Sequence, residues 1–272
     1  LFNKYKIKKI AKKICVLKPD GTTYEIEYSN KDKDLIPWLG KPELFLECSG
    51  KNTAKKDCIK FLKNKTKTVI ISATSWDAEK TLIYGFNHQE FKKKIKIISY
   101  GSCTVNAFIP LGSFMENNYG IIDADVNVVH NIQEYRLKDN ITLNRKFCTL
   151  EKSGPQLLKS INKKNFKVNY TVVPYTGVSM IDFRFRLKKC PSINKLINTL
   201  EKETKDGDLK GLYNIHETDR GPKVHNCTPF SSVFIRENFK IIKDQVYISG
   251  YFDNENSVNR YNDLVNYISI KI

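Results

Sequence analysis

The run TVIISA, residues 68–73, narrows most what this chain can fold into. It is β-branched and apolar without alternation, so as a strand it has to be covered on both faces, as in a parallel sheet flanked by helices. ELFLEC (43–48) before it and KIKIIS (94–99) after it are short apolar runs of the same kind. Between the first two, TAKKDCIKFLKNK (53–65) carries apolar residues at helical spacing beneath a basic outer face, and LIYGF (82–86) adds a further short run. Upstream, KICVL and TYEIEY flank the turn KPDG and predict a hairpin. Residues 1–102 therefore read as an incomplete, Rossmann-like α/β domain.

From Gly120 the texture changes. IIDADVNVVH (121–130), FKVNYTVVPYTGVSMIDFRFRL (166–187) and SSVFIRENFKIIKDQVYISGYF (231–252) are longer strands, several alternating with period two. GPQLLKSINK (154–163) and SINKLINTLEKE (192–203) have helical periodicity. This predicts an α+β domain over residues 103–255, a large mixed or antiparallel sheet covered by helices. In SVNRYNDLVNYISI (257–270), Val258, Leu264, Val265 and Ile268 fall at helical intervals. A C-terminal helix over 256–272 is expected to return to the first domain.

No run of the 272 residues reaches the roughly 18 apolar positions that a membrane helix needs. Seven irregularly spaced cysteines, with no CxxC and no Cys/His pair at zinc-ligand spacing, argue against a disulfide framework or structural metal. The cytoplasm or another reducing compartment follows. The formal net charge of +17 suits contact with polyanions, nucleic acid included, or a lysine-rich surface with its charges scattered. The groups that would have to converge for such contact are Lys4, Lys6, Lys8, Lys9, Lys12 and Lys13, then 60–67, then 92–96.

The stretch SYGSCTVNAFIPL (99–111) holds the candidate chemistry. Cys103 follows a strand and opens a helix, where unpaired amides and the dipole favour thiolate. Ser102, Thr104 and Asn106 around it are small and polar, offering room and hydrogen bonds to a substrate. Pro110 lies within the helical pattern and is expected to kink it. His130, closing the strand 121–130, is the candidate base.

These residues resemble the glyceraldehyde-3-phosphate dehydrogenase family. SCTVN with His130 27 residues after Cys103, TVIISATS, IYGFNHQEF, VPYTGVSMIDFRFRL and GYFDNENSVNR come in the family's order and span nearly the whole chain. The resemblance implies a Cys103 thiolate that adds to an aldehyde, hydride transfer to nicotinamide, and a thioester that phosphate cleaves. His130 would be base and acid. Asn254 would hold the nicotinamide amide; Ser49, Gly50, Ser72 and Ala73 would line the cofactor cleft. Ser102, Thr104, Ser153 and Gly154 would contact substrate or phosphate.

The chain departs from the family in three places. No GxGxxG occurs, so NAD or NADP binding is expected only if a Gly-rich segment precedes Leu1. Gln133 and Tyr135 stand where the family has two threonines, and Val172 where it has the arginine that grips the substrate phosphate. Arg136, Arg145 or nearby lysines would have to compensate. The stretch between His130 and Gly154 is shorter than the family's loop, which implies a changed assembly, an oligomer or a subunit of something larger. Three readings result: a phosphorylating aldehyde dehydrogenase with a shifted substrate site; a pseudoenzyme serving as a basic structural or RNA-contacting subunit; and a cofactor-free redox-sensing or esterase-like thiol.

Overall fold

The computed structural model describes residues 6–32, 35–139 and 141–272; Lys4 lies outside the described residues. Two sheets carry the packed structure. The smaller contains β4 (Leu44–Glu47), β5 (Thr68–Ile71), β6 (Lys80–Thr81) and β7 (Ile97–Ser99), all parallel, in the order β4-β5-β7-β6. Its central strands β5 and β7 are covered on both sides, as their composition requires. Val69, Ile71 and Ile97 pack against Cys58 and Phe61, while Ile70 and Ile98 pack against Tyr261, Leu264 and Ile268. The last three belong to α5 (Glu255–Ser269), which Tyr261 anchors by donating its hydroxyl to the Ile70 carbonyl at 2.6 Å.

The larger sheet has eight strands: β8 (Ile121–His130), β9 (Asn144–Arg145), β10 (Phe166–Val172), β11 (Ser179–Leu187), β12 (Tyr213–His216), β13 (Ser232–Ile235), β14 (Lys240–Ile242) and β15 (Gln245–Phe252). The order is β12-β13-β15-β11-β8-β10-β9, with β14 also on β15; β8/β10 and β12/β13 are parallel, the rest antiparallel. The fold class is therefore the one the sequence implies, a parallel Rossmann-like sheet beside a mixed sheet covered by helices. Helices α2 (Cys103–Tyr119), α3 (Thr149–Leu157) and α4 (Ile193–Asp206) contribute with one face of this sheet to a single core. Phe108 of α2 lies at its centre, 5.0 Å from the ring of Phe166 and 5.8 Å from that of Phe185. A third sheet is formed by β1 (Lys6–Ile10), β2 (Lys13–Leu17) and β3 (Thr23–Glu27), an antiparallel meander of their own with the expected hairpin at residues 18–21.

Helix α2 runs through Pro110 for a specific reason. Proline offers no N–H and spoils the local ladder. Here the Leu111 N–H donates to the Tyr213 hydroxyl at 3.1 Å, and that hydroxyl donates to the Ala107 carbonyl at 2.8 Å. The phenol completes the turn.

Four expected elements differ. The helix across 53–65 shrinks to α1 (Lys55–Cys58) and a 3-10 turn, Ile59–Phe61, because only Cys58 and Phe61 find a buried face. The run at 82–86 turns instead of extending, as Asn87 Oδ1 accepts from Ile83 N at 2.7 Å and Gly85 takes φ +81°. The helix read from 154 starts at Thr149 and ends at Leu157. Val258 is 57% exposed, whereas Leu264 and Ile268 are buried.

Candidate active site

Both partners of the site are placed by ordinary local rules. From β7 the chain passes through Tyr100 and Gly101 into Ser102, the N-cap of α2, whose hydroxyl accepts from Val105 N. Gly101 has φ +87°, and a Cβ there would meet Ile83 Cδ1 at 2.9 Å, so this turn requires glycine. The buried Asn106 amide locks it, donating to the Tyr100 carbonyl at 3.1 Å and the Ser102 carbonyl at 2.9 Å. Cys103 is thus the first residue of α2. On β8 the inward row is Ala124, Val126, Val128, and period two continues it to His130, which faces the same helix.

Cys103 Sγ and His130 Nε2 are 3.6 Å apart. His130 Nδ1 lies 2.7 Å from the Asn131 carbonyl, which can only accept, so Nδ1 carries the proton and the Nε2 lone pair faces the thiol. Asn131 is itself held: its backbone N–H donates to Ser179 Oγ at 3.1 Å and its amide donates to the Gly177 carbonyl. The imidazole sits between aromatic rings, 5.4 Å from Tyr170 and 5.5 Å from Phe252 by centroid.

Burial governs the protonation of this pair, against the expectation of a depressed thiol. It pushes Cys103 up to about 11, opposed only by the backbone N–H groups of Thr104 and Cys103. Burial likewise lowers His130, opposed by its bond to the Asn131 carbonyl. At neutral pH the resting pair is a neutral thiol beside a neutral imidazole, able to exchange a proton as a bond forms at sulfur.

The structure brings some of the other expected residues here. Asn254, ahead of α5, donates Nδ2 to Asn131 Oδ1 at 3.0 Å and so adjoins the His130 segment. Ser49 and Gly50 follow β4, and Ser72 and Ala73 follow β5, at the same C-terminal sheet edge from which β7 leads to Cys103. That edge is where open α/β sheets take ligands.

Others are occupied elsewhere. The Thr104 hydroxyl is buried between Ser102 Oγ at 3.2 Å and Cys148 Sγ at 3.4 Å, and Asn106 is spent on the turn, so neither offers a free hydrogen bond. Ser153 and Gly154 are buried inside α3, where Gly154 packs on Phe166 and Ile161. Because α3 begins four residues before Ser153, the residues that meet the start of α2 are Cys148 and Thr149; Thr149 donates to Ser102 Oγ at 2.9 Å. Burial pushes Cys148 up to about 11 as well. Val172 is buried directly opposite His130 in the sheet register. Tyr135 is 71% exposed, with the Arg136 guanidinium over its ring. Arg145 pairs with Thr171, which puts it on the outward side of the sheet, donating to Asn169 Oδ1 at 3.2 Å.

Two features escaped the sequence reading. Tyr170 was legible, since it shares the inward row of β10 with Phe166, Val168 and Val172. Glu47 had no signal: it is a buried carboxylate at the end of β4, accepting from Ser49 Oγ and from Asn52 Nδ2 at 3.0 Å. Among the described residues no Gly-rich strand-to-helix turn stands at the sheet edge; the helix after β4 is α1, four residues long and without a side-chain cap. The described residues at this edge therefore supply no cradle for a dinucleotide's diphosphate. No group of three or more potential metal ligands occurs among the described residues, and none of their helices is long and apolar enough to cross a membrane.

No family model matches the chain. Curated relatives do. The cytosolic glyceraldehyde-3-phosphate dehydrogenase of Dianthus caryophyllus is 28% identical over 244 residues, covering 84% of this chain and 71% of its own length. The glyceraldehyde-3-phosphate dehydrogenase of Podospora anserina is 27% identical over 258 residues, 89% and 76% respectively. Glyceraldehyde-3-phosphate dehydrogenase 4 of Caenorhabditis elegans is 27% identical over 282 residues, 95% of this chain and 80% of its own.

Proposed function

We propose that this chain, a divergent member of the glyceraldehyde-3-phosphate dehydrogenase family, oxidises an aldehyde through Cys103 with His130 as its base. The observation that carries the reading is the 3.6 Å contact of Sγ with an Nε2 whose lone pair the Asn131 carbonyl has freed for it. Sγ adds to the carbonyl carbon as Nε2 takes the thiol proton and returns it to the carbonyl oxygen, giving a hemithioacetal. The imidazole reaches this step neutral because burial has lowered its affinity for a proton. Asn254 and Asn131, joined side chain to side chain, keep the strand end that carries His130 and the start of α5 together.

A nicotinamide dinucleotide, NAD or NADP, supplies the hydride acceptor when bound. Asn254 and the strand-end residues Ser49, Gly50, Ser72 and Ala73 suit its nicotinamide end and the adjoining cleft, while its diphosphate needs a cradle these residues do not form. Phosphate then cleaves the thioester on Cys103. The cytosolic relatives support a cytoplasmic setting, and the family likeness an oligomer. The basic-subunit reading has less behind it, since Lys13, Lys55, Lys67 and Lys80 of the cationic surface are each paired with a glutamate.

The test is incubation with aldehyde and NAD, following nicotinamide reduction and the mass of the Cys103 peptide. The expected result is reduction together with an acyl adduct on Cys103, both lost in Cys103→Ser. Reduction that persists in Cys103→Ser would refute the assignment.

A further inference from the structure

We propose that the turn over residues 221–228 is an acid-sensitive latch: protonation of His225 unseats it and releases the segment of Asp253 and Asn254 that it holds. His225 closes the 3-10 turn Pro222–His225 and is 2% exposed. Its ring lies against Tyr251 of β15, 4.8 Å between centroids at 17°, and against His216 of β12, 5.1 Å at 39°. Tyr251 is itself fixed, donating its hydroxyl to the Asp219 carboxylate at 3.0 Å. Nε2 of His225 is buried with no hydrogen-bond partner among the described residues. The slot suits a neutral imidazole. An imidazolium donates from both nitrogens and would leave a charged N–H buried and unpaired.

The titratable groups that face this ring are His216, Tyr251 and Asp219, while Lys223 of its own turn is exposed. Burial lowers the proton affinity of His225 most, a charged His216 lowers it further, and Asp219 opposes them. Opened to water, the imidazole returns to its ordinary 6.5. A folded value below the opened one gives closure a stability that is present above pH 6.5 and lost as pH falls below it. The turn has little else to hold it, since Cys227 takes φ +57°, left-handed for a non-glycine residue, and Val224 is 53% exposed. What it holds leads to the site. Cys227 N–H donates to Asp253 Oδ2 at 2.8 Å, the adjoining Asn254 donates to Asn131 Oδ1 at 3.0 Å, and the Asn131 carbonyl accepts from His130 Nδ1. The latch bears on the proposed reaction through Asn254, and its test does not depend on that reaction.

The test is amide hydrogen exchange in the whole chain between pH 7 and pH 5, each rate divided by its intrinsic rate at that pH. Cys227 and Thr228, whose N–H groups bond Asp253 and the His225 carbonyl, are expected to lose protection about threefold or more, one proton allowing at most about tenfold per pH unit. Asn256 and Ser257, whose N–H groups bond the carbonyls of Asp253 and Asn254, should follow them. His225→Phe keeps a ring between His216 and Tyr251 but takes no proton, so its protection should stay flat. If that variant does not fold, the NMR titration of the His225 ring in the wild type decides, with a midpoint expected below 6.5. Wild-type protection that is unchanged from pH 7 to pH 5 would overturn the latch. So would a loss that persists in His225→Phe, or a ring that titrates at or above 6.5. Loss at Cys227 without loss at Asn256 and Ser257 would overturn the release of Asn254.

Discussion

The eight-stranded sheet and the β1–β3 meander both contain alternating strands, yet among the described residues only the large sheet has a layer of helices to alternate against. In the large sheet, each inward row meets a helix, so Phe183, Phe185 and Phe234 are fully buried. In the meander, the register aligns Ile7, Val16 and Tyr24 on one face, and beside them Lys9, Ile14 and Ile26. That face stays largely open, with Ile7 68% and Ile26 54% exposed. Three strands without a covering layer are marginal on their own. The difference teaches what holds two side chains in register: Cys103 and His130, 3.6 Å apart, hang on the packed sheet and its central helix.

The comparison makes its largest prediction at Phe108, which packs against three other phenylalanines of the core. Phe108→Ala is expected to cost about 3–5 kcal/mol in urea unfolding, whereas Ile26→Ala in the meander costs under about 1 kcal/mol. Equal costs would break the contrast.

A smaller effect is expected at Tyr213. Tyr213→Phe leaves Leu111 N and the Ala107 carbonyl unbridged inside α2, a loss of about 1–3 kcal/mol. Because α2 starts at Cys103, the variant should also react more slowly at that thiol; unchanged stability would mean the helix tolerates Pro110 unaided.

The mildest contrast concerns alkaline pH. Cys58, Cys103 and Cys148 are held protonated by burial, each up to about 11, while a free thiol ionises near 9. A folded pKa raised above the unfolded one gives stability that is complete below about pH 9 and lost as pH rises towards 11. The urea midpoint should fall over that window and fall less in Cys58→Ala. A midpoint flat to pH 11 would show that the thiols are not insulated from solvent.

Much of this was legible from the residues alone, for reasons that also mark where reading failed. TVIISA could only be a doubly covered strand, and the alternation of IIDADVNVVH fixed the face of His130, so the meeting of Cys103 and His130 was within reach of pattern. The start of α3 was not. GPQLLKSINK scores as a helix, but the Gly154 position is claimed by Phe166 and Ile161 from across the core, and the helix begins at Thr149. Ser153, expected to meet substrate or phosphate, is thereby buried inside α3, and the hydroxyl that reaches Ser102 is that of Thr149. The protonation of Cys103 was misread for a similar reason: the helix terminus favours thiolate, but the walls that bury the sulfur come from other strands and outweigh it. Arg145 was offered as a replacement cation from its position along the chain, whereas its register with Thr171 turns it outward.

The central claim, that His130 serves Cys103 as a neutral base, is tested most directly by the pH dependence of aldehyde addition at Cys103 in the wild type and in His130→Ala. Burial lowers the imidazole, so its free base persists below the ordinary 6.5 and is lost only at lower pH. The wild type should therefore hold its rate down through pH 6.5 and then fall, with a separate rise towards pH 11 as the thiol itself ionises. His130→Ala should be about 10²-fold slower at neutral pH and lack the acid limb. Superimposable profiles for the two proteins would contradict the account.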